Sequence, residues 1–131
     1  DALAGAIEIA TNAETAAGSD SQRAIVPSAL LSLFASSSLA GSGYARVPVN
    51  SAGAFHEIIV QWGTVSTSGG GGTITFPLAF PTVCLVVLPV NTQNAASSTF
   101  APSAANFSTT GANIYNQSGI SLTYNYLAIG Y

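Results

Sequence analysis

The last twelve residues, Ile120 to Tyr131, read Ile-Ser-Leu-Thr-Tyr-Asn-Tyr-Leu-Ala-Ile-Gly-Tyr. Ile120, Leu122, Tyr124, Tyr126 and Ala128 occupy one side of a period-two alternation. Ser121, Thr123 and Asn125 occupy the other. Successive strand side chains point to opposite faces, so this pattern is a strand with one apolar face. From Leu127 onward the second side turns apolar as well, through Leu127, Ile129 and Tyr131. The fold expectation starts here: all-β, with strand surface that needs cover on both sides.

Working back along the chain, Ala112 to Asn116 reads as a further strand. The Gln117-Ser118-Gly119 turn is expected to join it to the last one as a hairpin. Val83 to Val90 is a continuous run of β-branched and leucine residues, the pattern of a strand buried on both faces. Residues 91–106 are small and polar and read as a long surface loop. Thr73-Ile74-Thr75-Phe76 alternates cleanly, and Pro77 and Pro81 end that strand or place it at an edge. The four glycines Gly69 to Gly72 read as a flexible loop. In Phe55–Gly63 the residues Ile58, Val60 and Trp62 share one face, expected to point inward, and Glu57 and Gln61 share the other. The architecture expected is an antiparallel β-sandwich or meander.

The first part of the chain differs. Residues 1–43 are rich in Ala and Ser and hold four of the five acids, Asp1, Glu8, Glu14 and Asp20. Thr11 and Glu14 have capping-box spacing, Gly18 is a plausible helix stop, and Pro27 suits the start of a second helix. Leu30, Leu33 and Phe34 form a short apolar stripe. Isolated helices below about 12 residues are marginal, so something else must hold these. Near Gly41-Ser42-Gly43 the composition changes, which divides the chain into a helical and coil connector (1–43) and a β-sandwich tip (44–131). With no Met among 131 residues and Asp at position 1, the sequence reads as a piece of something longer, with any targeting signal outside it.

Composition removes several functions. Charged residues are 5% of the chain, against about 25% in typical domains. Two Arg and no Lys cannot form the basic stripe that nucleic acid or an anionic membrane surface requires. No apolar run approaches the ~20 residues of a helical membrane span, so membrane insertion is not expected. With so few charges to blunt edges and faces, the strands look built to bury surface against copies of themselves.

Two segments then carry a resemblance. Ala10 to Leu30, ATNAETAAGSDSQRAIVPSAL, resembles a linking unit of bacteriophage tail fibres through Thr11, Glu14, Gly18, Asp20, Ala24, Ile25, Val26 and Pro27. The second combines Ile58-Ile59-Val60-Gln61-Trp62-Gly63, Phe76-Pro77-Leu78-Ala79-Phe80-Pro81 and the closing Leu127-Ala128-Ile129-Gly130-Tyr131. It is similar to the C-terminal receptor-binding tip of phage and tailocin tail fibres, with Tyr126-Leu127 where that family often has Trp. The resemblance implies a parallel homotrimer located in the virion at the fibre tip. It implies extracellular action on a bacterial surface glycan such as lipopolysaccharide. A tail-fibre assembly chaperone is a further partner in its scope.

No family site can be carried over, so candidates come from the residues themselves. Glycoside hydrolysis uses two carboxylates, and residues 44–131 offer only Glu57. A Ser-His-Asp triad lacks an Asp after Asp20. Neither catalysis nor a cofactor is expected. His56 could join a metal on a threefold axis, but an ordinary strand histidine is the favoured reading and no metal is expected. Cys84 reads as a buried thiol, and Trp62 as core or subunit interface. Amides, hydroxyls and exposed aromatics suit an uncharged glycan. They cluster as Asn91, Thr92, Gln93 and Asn94, and as Asn113, Tyr115, Asn116 and Gln117. The ligand-binding set expected is Asn91, Gln93, Asn94, Asn113, Tyr115, Asn116 and Gln117. Glycan depolymerase and purely structural trimerisation module are the competing readings.

Overall fold

In the computed structural model, which describes residues 8–18, 20–34, 37–92 and 101–131, the connector folds as its capping signals dictate. Helix α1 (Asn12–Ala17) starts at Thr11, whose hydroxyl accepts from the Glu14 backbone N–H at 3.3 Å. The Glu14 carboxylate accepts from the Thr11 N–H at 2.9 Å. Gly18 ends it with φ 63°, a conformation glycine adopts without penalty. Helix α2 (Pro27–Ser32) begins at Pro27. What holds these short helices is Arg23. Its guanidinium donates to Glu14 and Asp20 at 2.7 Å each and to Glu8 at 3.2 Å, beside a parallel bridge between Ile9 and Ala24. Of α2 only Ala29 is buried, and Leu30, Leu31 and Phe34 stay exposed.

Seven strands follow among the described residues: β1 (Gly43–Ser51), β2 (Ala54–Ser66), β3 (Gly71–Thr75), β4 (Cys84–Asn91), β5 (Pro102–Ala105), β6 (Gly111–Asn116) and β7 (Thr123–Gly130). They pair antiparallel in two sheets, ordered β1-β2-β7-β4 and β3-β6-β5. The inner faces share one core. Ile59, Val65, Val87, Tyr124, Tyr126 and Ala128 come from the larger sheet, and Ile74, Ala112 and Ile114 from the smaller. Phe76 and Phe80 close it, packed edge to face with ring centroids 5.1 Å apart. No described helix is long and apolar enough to cross a membrane.

The sequence motifs meet in this core. Gln61 is fully buried, and its side-chain amide acts as an extra strand. Nε2 donates to the Leu78 carbonyl at 2.6 Å and Oε1 accepts from the Leu78 N–H at 2.9 Å. Gly63 leaves room for the Tyr126 phenol, and Gly130 for the Phe80 ring and the Val83 carbonyl. Gln61 and Gly63 thus place the two Phe-Pro turns and β7 around one another.

Several expectations change. The last strand begins at Thr123 and not at Ile120, which is exposed; over that shorter span it keeps its predicted faces, with Tyr124, Tyr126 and Ala128 inside. β6 and β7 are not a hairpin, however, because they belong to different sheets. Asn116 bends the chain across: Nδ2 donates to the Thr67 hydroxyl at 2.8 Å while Oδ1 accepts from the Ser118 hydroxyl and N–H. Among the described residues the 83–90 run is an edge strand, where Leu85, Leu88 and Val90 are exposed. Its edge position is what admits Pro89. In β2 the inward side is Ile59, Gln61, Gly63 and Val65, so the expected face is inverted. Hydrophobicity misled because the true core positions include an amide and a glycine. Trp62 lies on the outer side, half-buried, donating to the Ala40 carbonyl at 3.0 Å. Only Gly69 and Gly70 turn, with φ 59° and 90°, while Gly71 and Gly72 belong to β3. The expected 91–106 loop contains β5, and its residues 93–100 lie outside the described residues.

Candidate functional site

Each sheet has an outer face, and strand register fixes what it carries. Residues directly opposite share a face. On the larger sheet Val47 lies opposite Ile58, the row Val60–Ile129–Val86 crosses three strands, and Trp62–Leu127–Leu88 forms the next row. This is an apolar surface, with Leu88 50% and Val90 57% exposed.

The outer face of the smaller sheet is different. Its rows are Gly71–Tyr115–Ser103, Thr73–Asn113–Ala105 and Thr75 opposite Gly111. Hydroxyl, amide and phenol groups dominate, and no row holds an ionisable carboxylate or a cation. Tyr115 is 42% exposed, and its ring reaches over Gly71, where an added Cβ would lie 3.8 Å from Cδ1. Its phenol oxygen accepts from Asn113 Nδ2 at 3.2 Å and from Asn106 Nδ2 at 3.5 Å. Asn113 Oδ1 in turn accepts from the Thr73 hydroxyl at 3.4 Å. Beside this group lies an open cleft of about 230 Å³, walled by Thr73 and Thr75 on one side and Asn106, Ser108 and Thr110 on the other.

Of the residues singled out from sequence, Asn113 and Tyr115 stand side by side on this face. Gln117 is exposed in the turn that follows β6. Asn116 is buried and spent on the crossover, so it offers nothing to a ligand. Asn91 sits half-buried at the end of β4 in the larger sheet, opposite Tyr124 of the neighbouring strand β7. Gln93 and Asn94 lie outside the described residues. Asn106, Thr73, Ser108 and Thr110 were not singled out. The signal for Asn106 is weak: it takes φ 54°, and Asn is one of the few side chains that tolerate that region. Ser108 builds the turn into β6, its hydroxyl accepting from the Gly111 N–H at 3.0 Å.

The ionisable residues are engaged elsewhere. Glu57 pairs with Arg46 at 2.9 Å. His56 is exposed at the rim of two shallow clefts that also involve Glu57 and Tyr131. No cluster of three metal-ligating side chains occurs among the described residues. Cys84 is buried, and desolvation pushes its thiol above the usual range, as for an inert core cysteine.

Comparison with known proteins adds the context. A family model described as "Putative tail fiber protein gp53-like, C-terminal" matches residues 56–131. The uncharacterized protein StfP of Escherichia coli K12 is 35% identical over 104 residues, which are 74% of this chain and 49% of StfP. The chain therefore spans about half the length of this curated relative. Among solved structures, an N-truncated R2-type pyocin tail fibre matches with TM-score 0.62 and 26% identity, over 96% of this chain and 49% of that one. The C-terminal part of a P. aeruginosa R2 pyocin fibre matches with TM-score 0.60 over 83% of this chain and 30% of that one. At 23% identity the second likeness speaks to the fold alone.

Proposed function

This chain belongs to the gp53-like C-terminal family of tail-fibre proteins, and on that premise we propose that it is the tip that attaches a phage or tailocin particle to a bacterial surface glycan such as lipopolysaccharide. The observation that carries the reading is the uncharged polar face of the smaller sheet. Sugars are held by hydrogen bonds and by stacking on aromatic rings, and Tyr115 with its two asparagines offers both. The apolar face of the larger sheet, in this proposal, is covered by two further copies of the chain in a parallel homotrimer. An uncovered patch of that kind is rare on monomers.

Attachment here is binding without cleavage. Glu57, the single acid of residues 44–131, sits in an ion pair with Arg46, and a glycosidase needs a second carboxylate beside the bond. The test is adsorption of the fluorescently labelled chain to a strain panel that includes E. coli and P. aeruginosa. Purified lipopolysaccharide of each strain serves as competitor. Saturable binding to some strains, competed by their own lipopolysaccharide with no release of reducing sugar, is expected. A chain that oligomerises yet binds no strain would instead be a structural module, and sugar release would make it a depolymerase.

A further inference from the structure

We infer that the cleft beside Tyr115 is a subsite for one uncharged sugar ring, and that the glycan unit it holds carries neither carboxylate nor phosphate. The inference rests on the attachment reading and narrows it to a place and a ligand chemistry.

Asn106 and Asn113 both turn their Nδ2 groups toward the Tyr115 phenol oxygen, at 3.5 and 3.2 Å. Two donors on one oxygen occupy its acceptor capacity and leave the phenol O–H to donate outward. Asn113 Oδ1 accepts from the Thr73 hydroxyl at 3.4 Å, and both asparagines line the cleft together with Thr73, Thr75, Ser108 and Thr110. Such a set of amides with adaptable hydroxyls matches the alternating donor and acceptor roles of adjacent sugar hydroxyls. Strand β6 and the Ser108 turn hold the arrangement, so little ordering is required on binding.

Size and charge narrow the ligand. At about 230 Å³ the cleft is smaller than pockets for drug-sized molecules, which run about 300–1,000 Å³. One ring fits, against the Asn106 and Asn113 amides that the Tyr115 phenol orients. An anionic sugar would need a cation to offset the loss of its hydration. The whole sequence contains two, Arg23 and Arg46, and each is tied to carboxylates away from this sheet. The net charge of −3 gives an anion no compensating attraction.

The test is a nuclear magnetic resonance titration of the full chain with glucose, galactose, mannose and rhamnose as neutral probes, and glucuronate and galacturonate as charged ones. Concentrations of about 10 mM fill a site of millimolar Kd. At least one neutral sugar is expected to move the side-chain amide signals of Asn106 and Asn113, and the uronates are not. Tyr115→Phe, which keeps the ring but frees both amides, should weaken that sugar several-fold. Tyr115→Ala should weaken it by about tenfold or more. Equal response to the uronates, shifts confined to other residues, or no shift with any sugar each overturn the inference. Adsorption to cells separates this from the parent reading. If Tyr115→Ala abolishes sugar binding but leaves adsorption intact, attachment stands and the cleft is not its subsite. If no strain adsorbs the native chain, both fall.

Discussion

The two outer faces of this sandwich are built by the same kind of strand and differ in one respect, the side chains set at alternate positions. On the larger sheet those positions hold Val47, Ile58, Val60, Leu127, Ile129 and Leu88. On the smaller sheet they hold Thr73, Thr75, Asn113, Tyr115 and Ser103. Neither face uses charge as its main defence against association, which is unusual for a surface in water. The apolar face gains by losing water altogether, and so suits a permanent partner of the same shape. The polar face keeps its hydrogen-bonding groups available, and so suits a hydroxylated ligand that exchanges for water. Both faces meet at one core, which makes them separable by mutation.

Leu127→Glu is the sharpest way to break that separation. It places a carboxylate in the middle of the Trp62–Leu127–Leu88 row, where a covering copy would bury it without a cation. Sedimentation velocity should show the native chain as a trimer and this variant as a monomer, with the β signal in circular dichroism kept. Thr73→Glu, the same charge on the other face, should leave the trimer intact. Dissociation by both substitutions, or by neither, would show that the two faces do not divide the work as argued.

The next largest effect lies between the faces. Gln61→Ala removes both hydrogen bonds to Leu78 and leaves its partly buried N–H and carbonyl without that partner. A loss of about 2–4 kcal/mol in unfolding free energy is expected, read by chemical denaturation of the chain. Gln61→Glu should not restore stability, because a carboxylate cannot donate to the Leu78 carbonyl. If Gln61→Ala weakened only one face's function while stability held, the shared core would not be what couples them.

Gln61 also shows how far the sequence could be read. Alternation in residues 120–131 identified the inner face of β7, since Tyr124 and Tyr126 are aromatic while Thr123 and Asn125 beside them are polar. The Thr11 and Glu14 capping box and the Gly18 stop are local chemistry and were legible for that reason. β2 was misread because its core face depends on a partner seventeen residues away: an amide is only a core residue once Leu78 is there to satisfy it. The hairpin expected at 117–119 failed in the same way. Asn116 looks like a turn residue and is one, but its Thr67 partner sends the chain to the other sheet. For the candidate site, Asn113 and Tyr115 were legible as amide and phenol two apart on a strand. Asn106 and Thr73 were not, because β3 and the β5–β6 turn bring them there from 40 and 7 residues away.

Asn116→Ala tests that crossover and is expected to cost less than the Gln61 change, about 1–3 kcal/mol. The Thr67 hydroxyl keeps other partners, since it donates to the Leu122 carbonyl at 3.2 Å and accepts from the Leu122 N–H at 3.1 Å. The trimer should persist, and hydrogen exchange should quicken in residues 117–122 before it quickens in β6 or β7. Uniform loss of protection over both sheets would mean that Asn116 supports the core itself rather than the passage between the faces.

Acid gives the smallest effect and falls outside both faces. Hydrogen bonds from the Thr11 backbone and hydroxyl hold Glu14 below its ordinary range, and the Gln22 N–H does the same for Asp20, with Arg23 adding to each. A carboxylate whose folded pKa is lowered contributes stability that is complete above its unfolded pKa and lost as pH falls through the folded value. The connector should therefore loosen as pH drops below the normal carboxylate range, with no change between pH 6 and pH 8. These groups are exposed, so salt should shrink the effect. The rows named for the two outer faces contain no carboxylate, so the transition is expected in the connector and not on those faces. Hydrogen exchange resolved by residue would separate the outcomes. Faster exchange in residues 8–24 alone keeps the ionic node local to the connector, whereas simultaneous loss across β1 to β7 would make Arg23 and its carboxylates part of the stability of the tip.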